Sequence, residues 1–233
     1  MNNSQLSGVT ARALSLERFA LIVFDLDGTL IDSRRDLADA TNALLVECGA
    51  AQLPEDRVGR MVGDGAATLV ARAFTDSGLE PPPDALARFL AHYDQRLLDH
   101  TRPYPGMPGV LEVLGLRARL ALLTNKPIAS TRRILDGLDL ARYFPEDAVI
   151  GGDGPFPRKP DPAALRHLIA RAHASAESTL LVGDSVIDWR TARATSASSC
   201  VARYGFGFGG FRAGDLTADD RVIDTPAELL AFL

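Results

Sequence analysis

Apolar residues occur along this chain in two arrangements, as short continuous runs and as stripes at helical spacing. Residues 20–25 form a continuous run that ends in a carboxylate, and such a run is typical of a strand buried on both faces. Through residues 34–100 the apolar positions recur at helical spacing instead, which predicts amphipathic helices and no strand. The predicted helices cover residues 34–48, 64–77 and 83–99.

From residue 103 onward, short apolar runs alternate with segments that carry helix-start signals. The predicted strands cover residues 119–124, 148–150, 179–182, 199–202 and 221–223. The predicted helices cover residues 127–138 and 186–195, and two more begin at Asp161-Pro162, with Asp161 as N-cap, and at Thr225-Pro226, with Glu228 completing a capping box. Alternating strands and helices imply a parallel sheet with helices on both of its faces.

The order of these elements predicts an α/β fold in two parts. Residues 18–33 and 101–233 are expected to form a Rossmann-like parallel sheet core, and residues 34–100 a small α-helical domain inserted after the first strand. Residues 1–17 have neither the apolar nor the basic segment of a secretory signal, and they are expected to form a mobile tail.

Composition and charge narrow the classes of partner. The chain has 233 residues, of which 46% are hydrophobic and 24% charged, as in an ordinary globular protein. Its net charge of −5 makes nucleic acid a poor partner, because phosphate backbones select clustered lysine and arginine. No apolar stretch approaches the roughly 20 residues that span a bilayer, so no membrane partner is expected. Cys48 and Cys200 lack metal-binding spacing and are expected to be buried small hydrophobes in a cytoplasmic protein.

Polar residues follow the first strand, where the carboxyl end of a parallel strand gathers ligands. Asp25 and Asp27 stand two residues apart and point to the same side of an extended chain, with Leu26 on the other side. Two close carboxylates repel each other unless a cation or a proton lies between them. Mg²⁺ suits such a site when phosphate is also bound, and Gly28 allows the chain to turn sharply after the two acids.

The other strand ends carry groups that suit an anion and a metal. Thr124-Asn125-Lys126 follows an apolar run, and a hydroxyl with backbone N–H groups at a helix start can bind an anion. Lys159 stands just before another helix start. After Gly183, Asp184 and Asp188 are four residues apart and are expected to share one helix face.

In this order the four motifs resemble the haloacid dehalogenase superfamily of phosphotransferases, from about residue 19 to the end of the chain. They match its DxDGT motif at residues 25–29, its threonine at 124, its lysine at 159 and its GDxxxD motif at 183–188. The presence of Asp27 resembles the phosphatases of that superfamily, because its dehalogenases lack this second acid. The resemblance also implies that residues 34–100 form a small α-helical cap over the site.

The resemblance assigns a role to each motif residue. It implies that Asp25 is the nucleophile that accepts the phosphoryl group and that Asp27 is the general acid and base. It implies that phosphoryl oxygens are held at three positions, Thr124, Asn125 and Lys159. It implies Mg²⁺ bound by Asp25, the backbone carbonyl of Asp27, and Asp184, supported by Asp188, Gly183 and Gly28.

Further segments resemble the phosphoglycolate phosphatase group of the superfamily. These segments are residues 25–33, 62–66, 103–106, 123–127 and 158–162. The resemblance implies a small phosphorylated metabolite as substrate, first of all 2-phosphoglycolate, with other sugar phosphates or pyrophosphate, or a phosphosugar mutase reaction, as alternatives. A substrate carboxylate would need a cation beyond the phosphate site. The candidates for reading the substrate are Arg34, Arg35, Arg60, Lys126 and the turn at Gly63.

Three points stay open or differ from the family pattern. The oligomeric state is open between monomer and homodimer. Where the group usually has a glycine turn, this chain has residues 194–197, so either a non-glycine residue accepts the turn or the turn differs. The glycine-rich residues 205–210 lack the Gly-Lys-Ser/Thr of a P-loop and are expected to form a flexible surface loop.

Overall fold

The computed structural model describes residues 19–217 and 220–232, and the predicted tail at residues 1–17 lies outside this part of the chain. In chain order the strands are β1 (Leu21–Phe24), β2 (Ile31–Asp32), β3 (Arg102–Pro103), β4 (Arg119–Leu123), β5 (Val149–Ile150), β6 (Thr179–Gly183), β7 (Ser198–Ala202) and β8 (Arg221–Ile223). The α-helices are α1 (Arg34–Glu47), α2 (Glu55–Gly59), α3 (Ala66–Asp76), α4 (Ala85–Asp94), α5 (Met107–Gly115), α6 (Ile128–Gly137), α7 (Ala163–Arg171) and α8 (Val186–Thr195). Short 3-10 helices cover Ala141–Tyr143, Glu146–Ala148, Phe208–Gly210 and Pro226–Phe232.

Six of the strands form one parallel sheet in the order β5-β4-β1-β6-β7-β8. β1 is buried throughout, as its continuous apolar run predicts, and lies between β4 and β6. Phe24 is paired with Leu122 of β4 on one side and with Val182 of β6 on the other. The chain extends the sheet first past β4 and later past β6, and open α/β sheets bind ligands where the strand order reverses in this way.

The helices α1 to α4 all lie between β2 and β3, and we call residues 34–100 the helical insert. β2 and β3 pair antiparallel, with Ile31 opposite Pro103 and Asp32 opposite Arg102. The chain therefore leaves the sheet for the insert and returns from it at one place. Within the insert α1 packs against α2 and α4 through the apolar face that its spacing predicts.

Most predicted elements lie within a residue or two of their predicted bounds, but the helix predicted at residues 83–99 is too long. α4 ends at Asp94, and residues 95–99 continue as turns. Leu97 remains buried in these turns, which is why the apolar stripe extends beyond the end of the helix. Two helices were not predicted from the sequence. One is α2, which has only five residues, and the other is α5, although Met107, Val110, Leu111 and Leu114 lie at helical spacing and are buried on one face of α5.

Three predicted helix ends differ from the structure in detail. α7 begins at Ala163, although Asp161 accepts a hydrogen bond from the Ala163 N–H at 2.8 Å as an N-terminal cap would. The last helix has 3-10 geometry, and Glu228 accepts hydrogen bonds from the Asp224 N–H and the Thr225 hydroxyl rather than closing a regular capping box. α8 ends in a left-handed Ser196 with φ 61°, so a non-glycine residue accepts that turn.

The remaining features of the core follow the apolar pattern. Cys200 is buried within β7, as predicted, whereas Cys48 is only half-buried just after α1. Gly49 follows with φ +80°, a backbone conformation that glycine adopts without strain, and turns the chain away just after the end of α1 at Glu47. Within the described ranges, no helix combines the length and the apolar character that crossing a membrane would require.

Candidate active site

The loop after β1 carries the two carboxylates of the candidate active site. Asp25 is buried, and its backbone N–H donates a hydrogen bond to the carbonyl of Val182 on β6 at 2.9 Å. Leu26 is fully buried on the opposite side, as the alternation of an extended chain predicts. Gly28 then turns the chain with φ +83°, a conformation that other residues adopt only with strain.

Lys159 forms a pair of ion contacts at the centre of the site. Its ammonium Nζ lies 2.7 Å from Oδ1 of Asp25 and 2.6 Å from Oδ1 of Asp188. Burial alone would lower the pKa of Lys159, but the carboxylates of Asp188 and Asp25 outweigh that effect and raise it. The lysine is therefore charged, and it bridges two segments that are far apart in the sequence.

Asp25, Asp184 and Asp188 form a buried carboxylate cluster, in which oxygen atoms from all three lie within 4.8 Å of one another. Burial raises the pKa of Asp25 to about 7, and Lys159 offsets only part of that effect. Burial and the charges of Asp25 and Asp188 also raise the pKa of Asp184 well above its usual range. The cluster has three carboxylates and one lysine ammonium, so a bound cation would reduce the remaining repulsion between the carboxylates. Hard cations such as Mg²⁺ prefer oxygen ligands of this kind.

The prediction that Asp184 and Asp188 share one helix face is wrong, although both side chains reach the cluster. Asp184 follows β6 directly and stands before the helix, whereas Asp188 lies in the first turn of α8. Ser185 caps this helix, and its hydroxyl donates to Oδ2 of Asp188 at 2.6 Å. A side chain at Gly183 would collide with Asp188, which explains the glycine at this position.

The glycine-rich loop after β7 packs against Asp184, and so the prediction that residues 205–210 form a flexible surface loop is wrong for the first part of the loop. The backbone N–H of Gly207 donates a hydrogen bond to Oδ2 of Asp184 at 2.7 Å. A Cβ atom at Gly205 would collide with the Asp184 side chain and with the carbonyl of Gly28. Only residues without a side chain allow this close approach.

Thr124 and Asn125 follow β4 at the same edge of the sheet. The Thr124 hydroxyl is buried and accepts a hydrogen bond from the Lys126 N–H at 3.2 Å, which leaves its O–H free to donate. The Asn125 amide donates to the carbonyls of Gly63 and Lys159 at 2.9 and 3.0 Å, and accepts from the Lys159 N–H at 2.9 Å. The Asn125 side chain thus joins the Lys159 loop to the helical insert, and its predicted contact with phosphate remains a prediction.

Asp27 is held by partners different from those of Asp25. Its Oδ1 accepts a hydrogen bond from the Ser33 hydroxyl at 2.6 Å, and both of its oxygens lie 3.0 Å from the Nζ of Lys126. Lys126 is buried and its ammonium also lies 4.5 Å from the centre of the Tyr93 ring. The Asp27 side chain does not belong to the carboxylate cluster, which agrees with a metal role for its backbone carbonyl only.

A cavity of about 50 Å³ lies between the sheet edge and the helical insert. On the sheet side it is lined by the Asp25 and Asp27 carboxylates together with Thr124, Asn125 and Lys126. On the insert side Gly63, Gly65 and Tyr93 line it together with apolar side chains, and these are Leu37, Val62, Ala66, Leu69, Phe89 and Leu90. The cavity therefore combines two acids, a hydroxyl and a lysine at one end with an apolar wall at the other.

The arginines predicted as readers of the substrate lie outside this cavity. Arg34 pairs with Asp32 at 2.7 Å, and Arg35 is exposed beside Asp39. Arg60 is exposed as well. Of the candidates, only Gly63 and Lys126 line the cavity, because an arginine at the start of α1 finds a local carboxylate first.

Three features of the site were not predicted from the sequence. Ser33 lies within the segment compared with the phosphoglycolate phosphatase group, and that segment was a signal for its role. Tyr93 has the helical spacing of the buried apolar residues of α4, and that spacing alone gives no sign that it lines the cavity. The repeated glycines at 205 and 207 were noted, but nothing local in the sequence places them beside Asp184.

Comparison with known proteins gives consistent results. The sequence profile of the haloacid dehalogenase-like hydrolases matches residues 22–202. A phosphoglycolate phosphatase from Rhodospirillum rubrum is 45% identical over 194 residues, which cover 79% of this chain and 80% of the relative. One from Nitrosospira multiformis is 39% identical and covers 81% of this chain and 85% of the relative. A crystal structure described as a predicted phosphoglycolate phosphatase, from Haemophilus somnus, has a TM-score of 0.82 at 29% identity, covering 92% of this chain and 97% of that one.

Proposed function

The chain belongs to the haloacid dehalogenase-like hydrolase family, and on this basis we propose that it hydrolyses small phosphate monoesters through a phosphorylated Asp25. The observation that carries the proposal is the meeting of Asp25, Asp27 and Thr124 on one small cavity, with Lys159 in contact with Asp25. These residues come from three segments that are distant in sequence, and the sheet edge brings them together.

The proposed reaction has two displacements at phosphorus. A carboxylate oxygen of Asp25 attacks the phosphorus of the ester, the bond between phosphorus and the alkoxide oxygen breaks, and Asp27 gives a proton to the leaving alkoxide. Water then attacks the phosphorus of the acyl phosphate, Asp27 takes the proton of that water, and the bond from Asp25 to phosphorus breaks. Inorganic phosphate and the alcohol are the products, and Asp25 and Asp27 return to their initial forms.

Other residues of the chain serve the phosphoryl group in this proposal. The Thr124 O–H donates to a phosphoryl oxygen, and the Lys159 ammonium offsets the negative charge at Asp25. Asp25, the Asp27 carbonyl and Asp184 would hold Mg²⁺, with Asp188 beside them, and a cation there would reduce the repulsion between carboxylate and phosphate. The helical insert would act as a cap that excludes water and shapes the pocket for the alcohol part of the ester, since its side chains form the outer wall of the cavity.

The substrate that we propose is 2-phosphoglycolate, hydrolysed to glycolate and phosphate. The curated relatives are named phosphoglycolate phosphatases, which supports this choice. Buried Lys126, which lines the cavity with Asp25 and Asp27, also supports it, because a lysine can bind the carboxylate of the substrate.

The proposal is tested by measuring phosphate release from a panel of small esters, including 2-phosphoglycolate, sugar phosphates and pyrophosphate, with Mg²⁺ or with EDTA. Release that depends on Mg²⁺ and is fastest from 2-phosphoglycolate is the expected result. Faster release from another ester would reject the substrate and keep the chemistry. No release from any ester would reject the hydrolase reaction, and a search for isomerised sugar phosphates would then test the mutase alternative.

A variant tests the role of the nucleophile separately. Asp25→Asn is expected to abolish phosphate release while the thermal unfolding curve stays cooperative, because the amide has no comparable nucleophilicity. Turnover of this variant at the wild-type rate would contradict the proposed intermediate.

A further inference from the structure

The cavity beside Asp25 and Asp27 is apolar on one side and charged on the other. Its wall on the helical insert is mostly apolar, whereas its floor carries charged groups. Among the described residues that line it, Lys126 alone is cationic. A lysine ammonium has three N–H donors, and the two contacts with Asp27 account for at most two of them. The third donor is not used by Asp27, and the Tyr93 side chain beside the ammonium contributes to raising the pKa of Lys126.

Tyr93 adds an O–H donor to the same place. It is 3% exposed and lines the cavity, and its hydroxyl has no hydrogen-bond partner among the described residues. A buried tyrosine usually finds a partner, because a hydroxyl without one loses the hydrogen bonds that water would give it. Burial raises the pKa of Tyr93 to about 12, so the phenol keeps its proton at neutral pH and can donate it in a hydrogen bond.

The two donors come from different parts of the molecule and lie close together. Lys126 follows β4 in the sheet, whereas Tyr93 belongs to α4 of the insert, and the ammonium lies 4.5 Å from the centre of the tyrosine ring. Phe89 stacks on Tyr93 with ring centres 5.9 Å apart, which fixes the direction of the phenol. A ligand that bound both donors would join the insert to the sheet.

We propose that Lys126 and Tyr93 form a carboxylate-binding subsite that selects substrates whose leaving group carries an anionic group next to the ester carbon. The inference rests on the proposed phosphatase function and adds the residues that read the leaving group. A carboxylate accepts hydrogen bonds from both groups, and a charge-assisted bond to lysine is roughly twice as strong as a neutral one. An alkyl group at the same place would offer no acceptor to the phenol and no charge to the ammonium.

The same subsite disfavours sugar phosphates. Several hydroxyls of a sugar would lie against the apolar wall of the insert, where Leu69, Phe89 and Leu90 offer no hydrogen-bond partner. Each buried hydroxyl without a partner weakens binding.

A matched pair of substrates tests the inference. 2-Phosphoglycolate and ethyl phosphate share the ester bond and the two-carbon chain and differ in a carboxylate against a methyl group. The ratio of their kcat/KM values measures selection for the carboxylate and cancels effects on the chemistry common to both. In Tyr93→Phe this ratio is expected to fall about tenfold or more, mainly through KM for 2-phosphoglycolate, since a hydrogen bond to a charged group is lost. Lys126→Met is expected to lower the ratio further.

Tyr104→Phe is the matched control. The Tyr104 hydroxyl is also buried without a hydrogen-bond partner among the described residues, but Tyr104 lines a different depression together with Asp32 and His100. Its removal is expected to leave the ratio unchanged. Thermal melting of all three variants checks that they are folded.

The outcomes separate the inference from the proposed function. A ratio that falls in Tyr93→Phe and Lys126→Met but not in Tyr104→Phe supports the subsite. A wild-type enzyme that hydrolyses both esters, with a ratio that Tyr93→Phe does not change, overturns the subsite and leaves the phosphatase function intact. A wild-type protein that hydrolyses neither ester overturns both.

Discussion

The backbone N–H of Gly207 donates a hydrogen bond to Oδ2 of Asp184 at 2.7 Å. This contact connects the loop after β7 with the carboxylate that follows β6. It occupies one oxygen of Asp184 and leaves Oδ1 for a cation, which gives the carboxylate a fixed orientation before any ligand binds. Groups that orient a metal ligand in this way often matter nearly as much as the ligand itself.

Gly205→Ala is expected to weaken Mg²⁺ binding about tenfold or more, because orienting groups around a metal ligand typically contribute that much. The new methyl group would collide with Asp184 and the carbonyl of Gly28 and would displace the loop. The measurement is the Mg²⁺ concentration that gives half-maximal phosphate release, together with calorimetric titration of the metal. Gly209→Ala is the control, since a Cβ there meets nothing within 4 Å. Equal metal affinity in both variants would contradict this role of the loop.

Mg²⁺ is expected to raise the unfolding temperature of the wild-type protein, because a ligand that binds only the folded state stabilises it. The carboxylates of Asp25, Asp184 and Asp188 repel one another when no cation is present. Asp184→Asn removes one of these charges and should therefore melt at a higher temperature than the wild type in EDTA. The same variant should gain little from added Mg²⁺. Differential scanning calorimetry with and without Mg²⁺ measures both effects, and an equal gain in the two proteins would exclude Asp184 as a ligand.

Asp36→Asn is expected to lower the free energy of unfolding by about 2–4 kcal/mol, the range for a buried charged group that loses its hydrogen-bond partners. Asp36 is completely buried, and its carboxylate accepts hydrogen bonds from the N–H groups of His100 and Thr101 and from the Thr101 hydroxyl. In the variant, the NH₂ group of the asparagine would face donors that now bind a carboxylate oxygen, and those donors would lose their acceptor. Urea unfolding measures the loss, with Asp39→Asn as an exposed control on the same helix. A change of less than about 0.5 kcal/mol, which is typical of surface positions, would contradict the prediction.

Cys200 is expected to react slowly with a thiol reagent in the folded protein. Burial raises its pKa to about 12, and the thiolate is the reactive form, so almost none of it is present at pH 8. Because the pKa is raised rather than lowered, increasing the pH from 7 to 9 should still leave Cys200 protonated. Cys48 is half-buried and should react first. Labelling with a chromogenic disulfide should give one fast thiol per chain, and a second only on unfolding. Two fast thiols in the native protein would contradict this expectation.

The edge-of-sheet part of the site could be predicted because it depends on a general rule and on local sequence. Strands with continuous apolar runs form a parallel sheet, and the residues after them meet at one edge. That rule predicts that Asp25, Thr124 and Asp184 lie at one edge of the sheet even though they are distant in the sequence. In the structure the strands that precede them, β1, β4 and β6, are neighbours. The same rule says nothing about side chains that approach from another layer.

Tyr93 and Gly207 show where prediction from sequence ends. Tyr93 belongs to the same apolar stripe as Phe89, and its spacing does not reveal that it lines a cavity. Gly207 lies in a loop whose position depends on how β7 pairs with β6, which the glycine pattern does not encode. Arg34 illustrates the opposite error, since its charge suggested a ligand role although Asp32, two residues away, already binds it.

The pairing of Ile31 with Pro103 and of Asp32 with Arg102 makes the helical insert a detour that starts and ends at one point. None of the six strands of the large sheet pairs with a residue of the detour. A chain that joined Asp32 to Arg102 by a tight turn would keep every strand pairing of the sheet. It would lose the outer wall of the cavity, the Gly63 carbonyl to which Asn125 donates, and the apolar side chains that the insert adds to the main core. The length and sequence of the chain between Asp32 and Arg102 can therefore vary without any change in the strand order of the large sheet.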